Sequence, residues 1–351
     1  ELFPAREGRT VFDNREEFLE VHGGEYSALL NALTRLETEF SRLKERPEEI
    51  NNLARRAGEL RKAFEVVLET RERNLVYWWE RRGRGVLVEA SPIDVSSILR
   101  ERLFQRVESV ILTSATLAVG GTYDFLKRRL GIEQPAEKIF ASHFDYGRQA
   151  LLYTPVHLPD PRQPDFSRLA AEEVIQILKA TRGRAFVLFT SYQQMRDVYE
   201  RVRRRLRYPM LLQGTAPRTA LLDRFRRTPH AVLFATSSFW QGVDVQGPQL
   251  SAVIIDRLPF AVPSDPIVAA RIRLINEDGG NAFTEYQVPE AVIALKQGFG
   301  RLIRSETDCG VLAILDHRLV RKNYGRVFFA SLPGYRKTDR LEDVRAFMRE
   351  F

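Results

Sequence analysis

The chain has 351 residues, 44% of them hydrophobic, one cysteine and a formal net charge of +8. That length supports a large core and two or three domains, and the lone Cys309 excludes an internal disulfide, a cysteine-ligated iron–sulfur cluster and a multi-cysteine zinc site within the chain. No apolar run approaches the roughly 18 residues of a membrane span and no secretory leader is evident, so a cytoplasmic location is expected, and the basic balance favours an anionic partner, nucleic acid first.

Residues 1–24 carry no assignable pattern, and the first residue is Glu1 rather than methionine, which suggests a fragment. From Tyr26 the apolar residues Leu29, Leu33, Leu36, Phe40 and Leu43 follow at spacings of three and four, a heptad seam. Pro47 interrupts it, and Ile50, Leu53, Ala57, Leu60, Phe64 and Val67 resume it, which predicts an antiparallel helical hairpin with arms of roughly 30 Å. Leu75–Trp79 and Val86–Val88 flank a basic turn and read as a β-hairpin; its adjacent Trp78 and Trp79 are either packed or available to stack on bases. Val107–Leu112 reads as a strand running into Thr113-Ser114-Ala115-Thr116-Leu117, with a short helix over Phe125–Leu130.

Beyond a proline-rich stretch the pattern changes. Short apolar runs at Ala150–Tyr153, Ala185–Phe189, Met210–Leu212, Val232–Ala235, Ala252–Ile255 and Val311–Leu315 alternate with helical segments of 10–15 residues. This predicts an α/β fold, a parallel sheet covered by helices on both faces, with ligands at the carboxyl ends of the strands. The expected division is residues 1–75 as a helical hairpin, 76–147 as a hairpin and the end of one domain, and 148–351 as a second α/β domain.

Three stretches carry chemistry. After Phe189, Thr190-Ser191 precede a helix, and Ser191 with Gln194 forms an S-x-x-Q capping box whose free N–H groups suit a phosphate or merely start a helix. After Ala235 comes Thr236-Ser237-Ser238-Phe239-Trp240-Gln241-Gly242-Val243-Asp244, in which Gly242 permits close backbone approach and Asp244 can accept a hydroxyl or pair with arginine. A helix expected over Glu285–Arg304 packs Val292, Leu295, Phe299 and Leu302 and presents Gln297, Arg301 and Arg304 on the opposite side, interrupted by Gly298 and Gly300. Guanidinium groups suit phosphate because they stay charged and bond bidentately. The clusters Arg201, Arg203, Arg204, Arg205, Arg207 and Arg224, Arg226, Arg227 read as solvated helix faces or as a nucleic-acid surface.

Gln297–Arg304 matches the QxxGRxxR signature of superfamily 2 helicases, and the other stretches resemble further motifs of that machine in order. Thr113–Leu117 is similar to motif III, Phe189–Tyr192 to motif IV, and Thr236–Asp244 with Ile255–Phe260 to motif V of the DinG/XPD family. The resemblance covers nearly the whole chain and implies a RecA-like second motor domain, an arch over the helical hairpin, and the end of a first motor domain. It implies that ATP and Mg²⁺ are shared with the first motor domain, whose GxGK[ST] loop and DEAH box are absent from these residues. It further implies arginine fingers at Arg301 and Arg304, nucleotide contacts at Gln297, Gly300, Gly242 and Asp244, strand contacts at Thr190, Ser191 and Thr236, and interdomain coupling through Thr113, Ser114 and Thr116. The implied partner is single-stranded DNA, traversed 5′ to 3′, with no ATPase from this chain alone. A non-catalytic nucleic-acid or partner-binding module and an RNA-directed relative are the competing readings, and the sequence leaves the oligomeric state open.

Overall fold

The computed structural model describes residues 3, 8–43, 47–236, 239, 245 and 247–350. The chain forms two compact units, one of Glu1–Ser97 with Val262–Ala282, the other of Ile98–Ala261 with Phe283–Phe351.

In the first unit, α1 (Arg15–Arg42) and α2 (Glu48–Leu68) form the expected helical hairpin. Helix α1 begins well before Tyr26 and bends at His22, whose φ of −118° leaves the helical region just ahead of Gly23-Gly24, a pair with little helix propensity. Only Leu33 of the α1 seam is buried; Leu29, Leu36 and Leu43 stay exposed, as do Leu53 and Leu60 of α2.

Strands β1 (Arg9–Val11), β2 (Leu75–Arg82) and β3 (Gly85–Pro92) make an antiparallel sheet, with β2 and β3 joined at Gly83-Arg84. Side chains alternate across it. Tyr77 and Trp79 pack with Phe12 and Leu68 on the α2 side, while Val76, Trp78 and Ile93 pack against Ile267, Ala270 and Leu274 of a helix at Pro266–Glu277. Both tryptophans are thus buried, and Trp78 Nε1 donates to Ser91 Oγ at 2.9 Å. The base-stacking reading of the pair falls, because each ring already has a cover.

The second unit holds a seven-stranded sheet in which every neighbouring pair is parallel. Its strands are β4 (Ala150–Tyr153), β5 (Ala185–Phe189), β6 (Met210–Leu212), β7 (Val232–Thr236), β8 (Ala252–Ile255), β9 (Gly310–Ile314) and β10 (Arg336–Thr338), in the order β10-β4-β9-β8-β5-β7-β6. Residues such as Val187, Phe234, Ile254 and Ala313 face one core with the helices Phe166–Thr181 and Tyr192–Arg203, and Phe186 faces Phe225 on the other side. Strands buried on both faces read as continuous apolar runs, which is why the α/β expectation holds. Val107–Leu112 departs from expectation. It forms no strand, and Ile111 is 88% exposed, because no neighbouring strand among the described residues offers it a ladder. Among the described residues no helix is long and apolar enough to cross a membrane.

Candidate nucleotide and nucleic-acid sites

At the carboxyl edge of the sheet, Thr190 and Ser191 follow β5 and lead into the helix Tyr192–Arg203. Ser191 caps that helix as expected, its Oγ accepting the Gln194 N–H at 3.3 Å. Its own hydroxyl proton remains available to a ligand. Thr236 ends β7 opposite Phe189. Its N–H and hydroxyl both donate to Gln213 Oε1, at 2.7 and 3.0 Å, and Gln213 Nε2 donates to the Tyr192 hydroxyl at 2.6 Å. Gln213, which the sequence reading passed over, therefore ties three strand ends into one edge.

The Thr190 N–H donates to Asp256 Oδ1 at 3.3 Å. Asp256 follows β8 and is 1% exposed. Burial pushes its carboxyl up to about 7, against the opposing pull of Arg257 and with a further push from Asp316. A folded pKa above the unfolded one contributes stability at low pH that is lost as pH rises from about 4 through about 7. Asp256→Asn removes this titration while keeping an acceptor for Thr190. Relative to the parent, its unfolding free energy is expected to gain on the order of 2 kcal/mol between pH 5 and pH 8, read from denaturant melts at both pH values.

The arginine stretch lies at the opposite, amino edge. Helix Val288–Phe299 buries Val292, Leu295 and Phe299, as expected, but it ends at Phe299 and not at Arg304. Gly300 N–H closes on Lys296 O at 2.9 Å and Leu302 N–H on Phe299 O at 3.1 Å, a turn in place of further α-helix. Leu302 and Ile303 within that turn are both buried. Gln297 stands in the last helical turn, Gly300 is exposed, and Arg301 and Arg304 are half-buried and engaged within the chain. One carboxylate organises this edge. Asp308, 5% exposed, accepts the N–H groups of Arg304 and Ser305 on Oδ2, each at 2.8 Å, and that of Gly247 on Oδ1 at 3.1 Å. Gln149 Nε2 donates to the carbonyls of Ser305 and Asp308 at 2.9 Å.

Gly242 and Asp244 lie outside the described residues. Of the described residues on either side of them, Thr236 ends β7 at the carboxyl edge and Gly247 donates to Asp308 at the amino edge. Five residues of strand, about 17 Å, separate the two edges. The structure therefore brings Thr190, Ser191 and Thr236 together, and Gln297, Gly300, Arg301 and Arg304 together, as two groups. Thr113, Ser114 and Thr116 sit in an irregular segment bonded locally, Thr116 N–H to Ser114 Oγ at 3.2 Å. Directly beyond it, Lys296 Nζ donates to Ala118 O at 2.9 Å.

Half of the clustered arginines are ion-paired: Arg201 with Asp197, Arg203 with Glu200, Arg205 with Glu172 and Arg226 with Asp223. Among the described residues no group of three His, Cys, Asp or Glu side chains could hold a metal ion. Asp308 escaped the sequence reading because it is a lone carboxylate two residues before an apolar run, and Asp256 entered it only within the Ile255–Phe260 stretch, with no role of its own.

Residues 174–335 match the helicase C-terminal domain family. The chain is 41% identical over 304 residues to the ATP-dependent DNA helicase YoaA of Haemophilus influenzae, covering 87% of this chain and 48% of that protein. It is 38% identical over 287 residues to the ATP-dependent helicase DinG of Mycobacterium tuberculosis, covering 79% of this chain and 43% of that protein. The chain thus spans about half the length of the curated relatives it matches. An XPD helicase structure superposes with a TM-score of 0.58 at 14% identity, over 94% of this chain and 65% of that one, a likeness of fold alone. The chain thus carries a helicase C-terminal domain on a RecA-like α/β fold, and the motif order, the parallel sheet and these likenesses together support a C-terminal portion of the DinG/XPD-like superfamily 2 helicases.

Proposed function

We propose that the chain is the second motor half of an ATP-dependent DNA helicase that moves 5′ to 3′ along single-stranded DNA. The observation that carries this reading is the Asp308 carboxylate, which holds the Arg304–Ser305 turn and the Gly247 end of the Thr236–Asp244 stretch at one edge. This contact supports a reading in which the arginine turn and the glycine-bearing stretch serve one nucleotide.

The donor set suits a triphosphate: guanidinium groups beside a glycine-bearing turn. In this reading Mg²⁺ and the phosphate cradle belong to a first motor domain. When bound there, ATP supplies the free energy of γ-phosphoryl transfer to water. Arg301 and Arg304 neutralise charge on the transferring group, Gln297 and Gly300 line the approach, and Gly242 and Asp244 border the nucleotide. Thr190 and Ser191 donate to strand phosphates, with Thr236 acting through Gln213 to set that edge. Such contacts position a strand without reading its bases. Thr113, Ser114 and Thr116 link the two motor domains, so that closure on ATP advances the strand.

The purified 351-residue chain is expected to show no ATP turnover above background. Its affinity for single-stranded DNA should still fall with salt, with a log–log slope of about −0.7 per phosphate contacted. Steady-state phosphate release and a salt titration by fluorescence anisotropy check both. Turnover by the pure chain that Arg301→Ala abolishes would refute the two-half reading.

A further inference from the structure

The segment after Thr116 is fastened to the helix that carries the arginine turn, and only from Ala118 onward. Lys296 reaches Ala118 O at 2.9 Å from the last turns of helix Val288–Phe299. Two residues on, Gly120 N–H donates to Ser331 Oγ at 2.7 Å, and Ser331 Oγ donates in turn to Val327 O in the helix Gly325–Ser331. Val119 and Thr122 close a bridge around Gly120-Gly121, with φ of +61° and +82°, a two-residue turn that glycine adopts without strain. The helix Asp124–Leu130 continues the attachment, Arg128 to Glu285 at 3.3 Å and Arg129 to Glu290 at 3.6 Å. Thr113–Leu117, by contrast, has only local side-chain hydrogen bonds among the described residues.

Resting on the function proposed above, we propose that Lys296 is a positioning residue: its ammonium clasps Ala118 O and so fixes where the interdomain segment is anchored against the arginine-bearing helix. Movement between the motor halves is then confined to Thr113–Leu117, and the Arg301 turn keeps one distance from the anchor. The chemistry of Lys296 fits the task. It is half-buried, burial lowers its pKa, and its bond is to a neutral carbonyl rather than to a carboxylate. An amine partly removed from water favours the acceptor it has, because letting go returns it to an environment that only partly replaces the bond. Its placement in the last turns of the helix also sets the charge against the negative end of the helix dipole.

The test compares Lys296→Met, which keeps the aliphatic stem, with Lys296→Arg, which can still reach the carbonyl. In the 351-residue chain, amide exchange at Val119, Gly120 and Thr122 should speed up by about tenfold or more in Lys296→Met and stay near the parent rate in Lys296→Arg. In the intact enzyme, Lys296→Met should lower kcat for ATP by about tenfold, with KM for ATP and the Kd for single-stranded DNA within about threefold, since a misplacement near 1 Å is enough for such a loss. Unchanged exchange in Lys296→Met would overturn the clasp whatever the kinetics. Loss of cooperative melting in Lys296→Met would also overturn it, marking the amine as a determinant of folding. Arg301→Ala, run alongside, separates the two ideas. If it still hydrolyses ATP, the functional reading fails, and the exchange data alone decide on the clasp.

Discussion

Arg301→Ala in the intact enzyme is expected to lower kcat for DNA-stimulated ATP hydrolysis by about 10³–10⁵, the value of an arginine finger in phosphoryl transfer. That corresponds to about 4–7 kcal/mol of transition-state stabilisation. The loss should appear in kcat and kcat/KM alike, because the guanidinium meets charge that develops only as the phosphoryl group transfers. Binding of single-stranded DNA should persist, because Thr190 and Ser191 lie at the opposite edge of the sheet, about 17 Å away across β7. Arg301→Lys should not restore the rate, since an ammonium lacks the planar fork that engages two oxygens at once. Single-turnover hydrolysis with the two variants checks this. A kcat for Arg301→Ala within tenfold of the parent would remove Arg301 from the chemistry.

The sheet was legible from sequence because its strands lie under helices on both sides. Burial on both faces imposes unbroken apolar runs such as Val187-Leu188-Phe189 and Val253-Ile254-Ile255, which no surface strand carries. Ser191 with Gln194 was legible as a cap because that bond is local. What escaped depends on partners far along the chain. Trp78 and Trp79 read as a possible stacking platform until the helix Pro266–Glu277 arrives on one face, its Arg271 donating to Ile93 O across 178 residues of sequence. β10 is Arg336-Lys337-Thr338, a polar edge strand with no apolar alternation to announce it. Val107–Leu112 has the composition of a strand, but a strand needs a neighbour, and composition does not supply one. The helix stop was half legible. Gly298 and Gly300 marked weakness, while the carboxylate that holds the following turn, Asp308 accepting the Arg304 and Ser305 N–H groups, carries no local signal.

Gly310→Ala is expected to be the most damaging single methyl in the second unit among the positions that bear on the arginine turn. Gly310 opens β9, the strand between β4 and β8. A Cβ there would stand 2.5 Å from Ser251 O and 2.9 Å from Leu302 Cδ1. The carbonyl cannot swing aside, for Ser251 O already accepts the Val311 N–H at 2.9 Å, and the Ser251 N–H is bound to Arg184 O at 2.7 Å. The ladder must part, or Leu302 must leave its pocket and draw the Arg301–Arg304 turn with it. Overpacking of about 1–3 kcal/mol together with a lost buried bond of about 1 kcal/mol gives roughly 2–4 kcal/mol, a large share of the 5–15 kcal/mol that holds a typical domain. Gly24→Ala is the control. It lies in helix α1 with nothing within 4 Å of the added methyl, so it should stabilise by about 0.5–1 kcal/mol through helix propensity alone. Thermal melts of the two variants should therefore move in opposite directions, Gly310→Ala downward by about 5–15 °C for a unit of this size. In the intact enzyme Gly310→Ala should also lower kcat at temperatures where it remains folded, because Leu302 is the shared contact between the strand and the turn. A Gly310→Ala protein that melts with the parent would mean that β8 and β9 can separate at no cost, and the arginine turn would then have no fixed place on this edge.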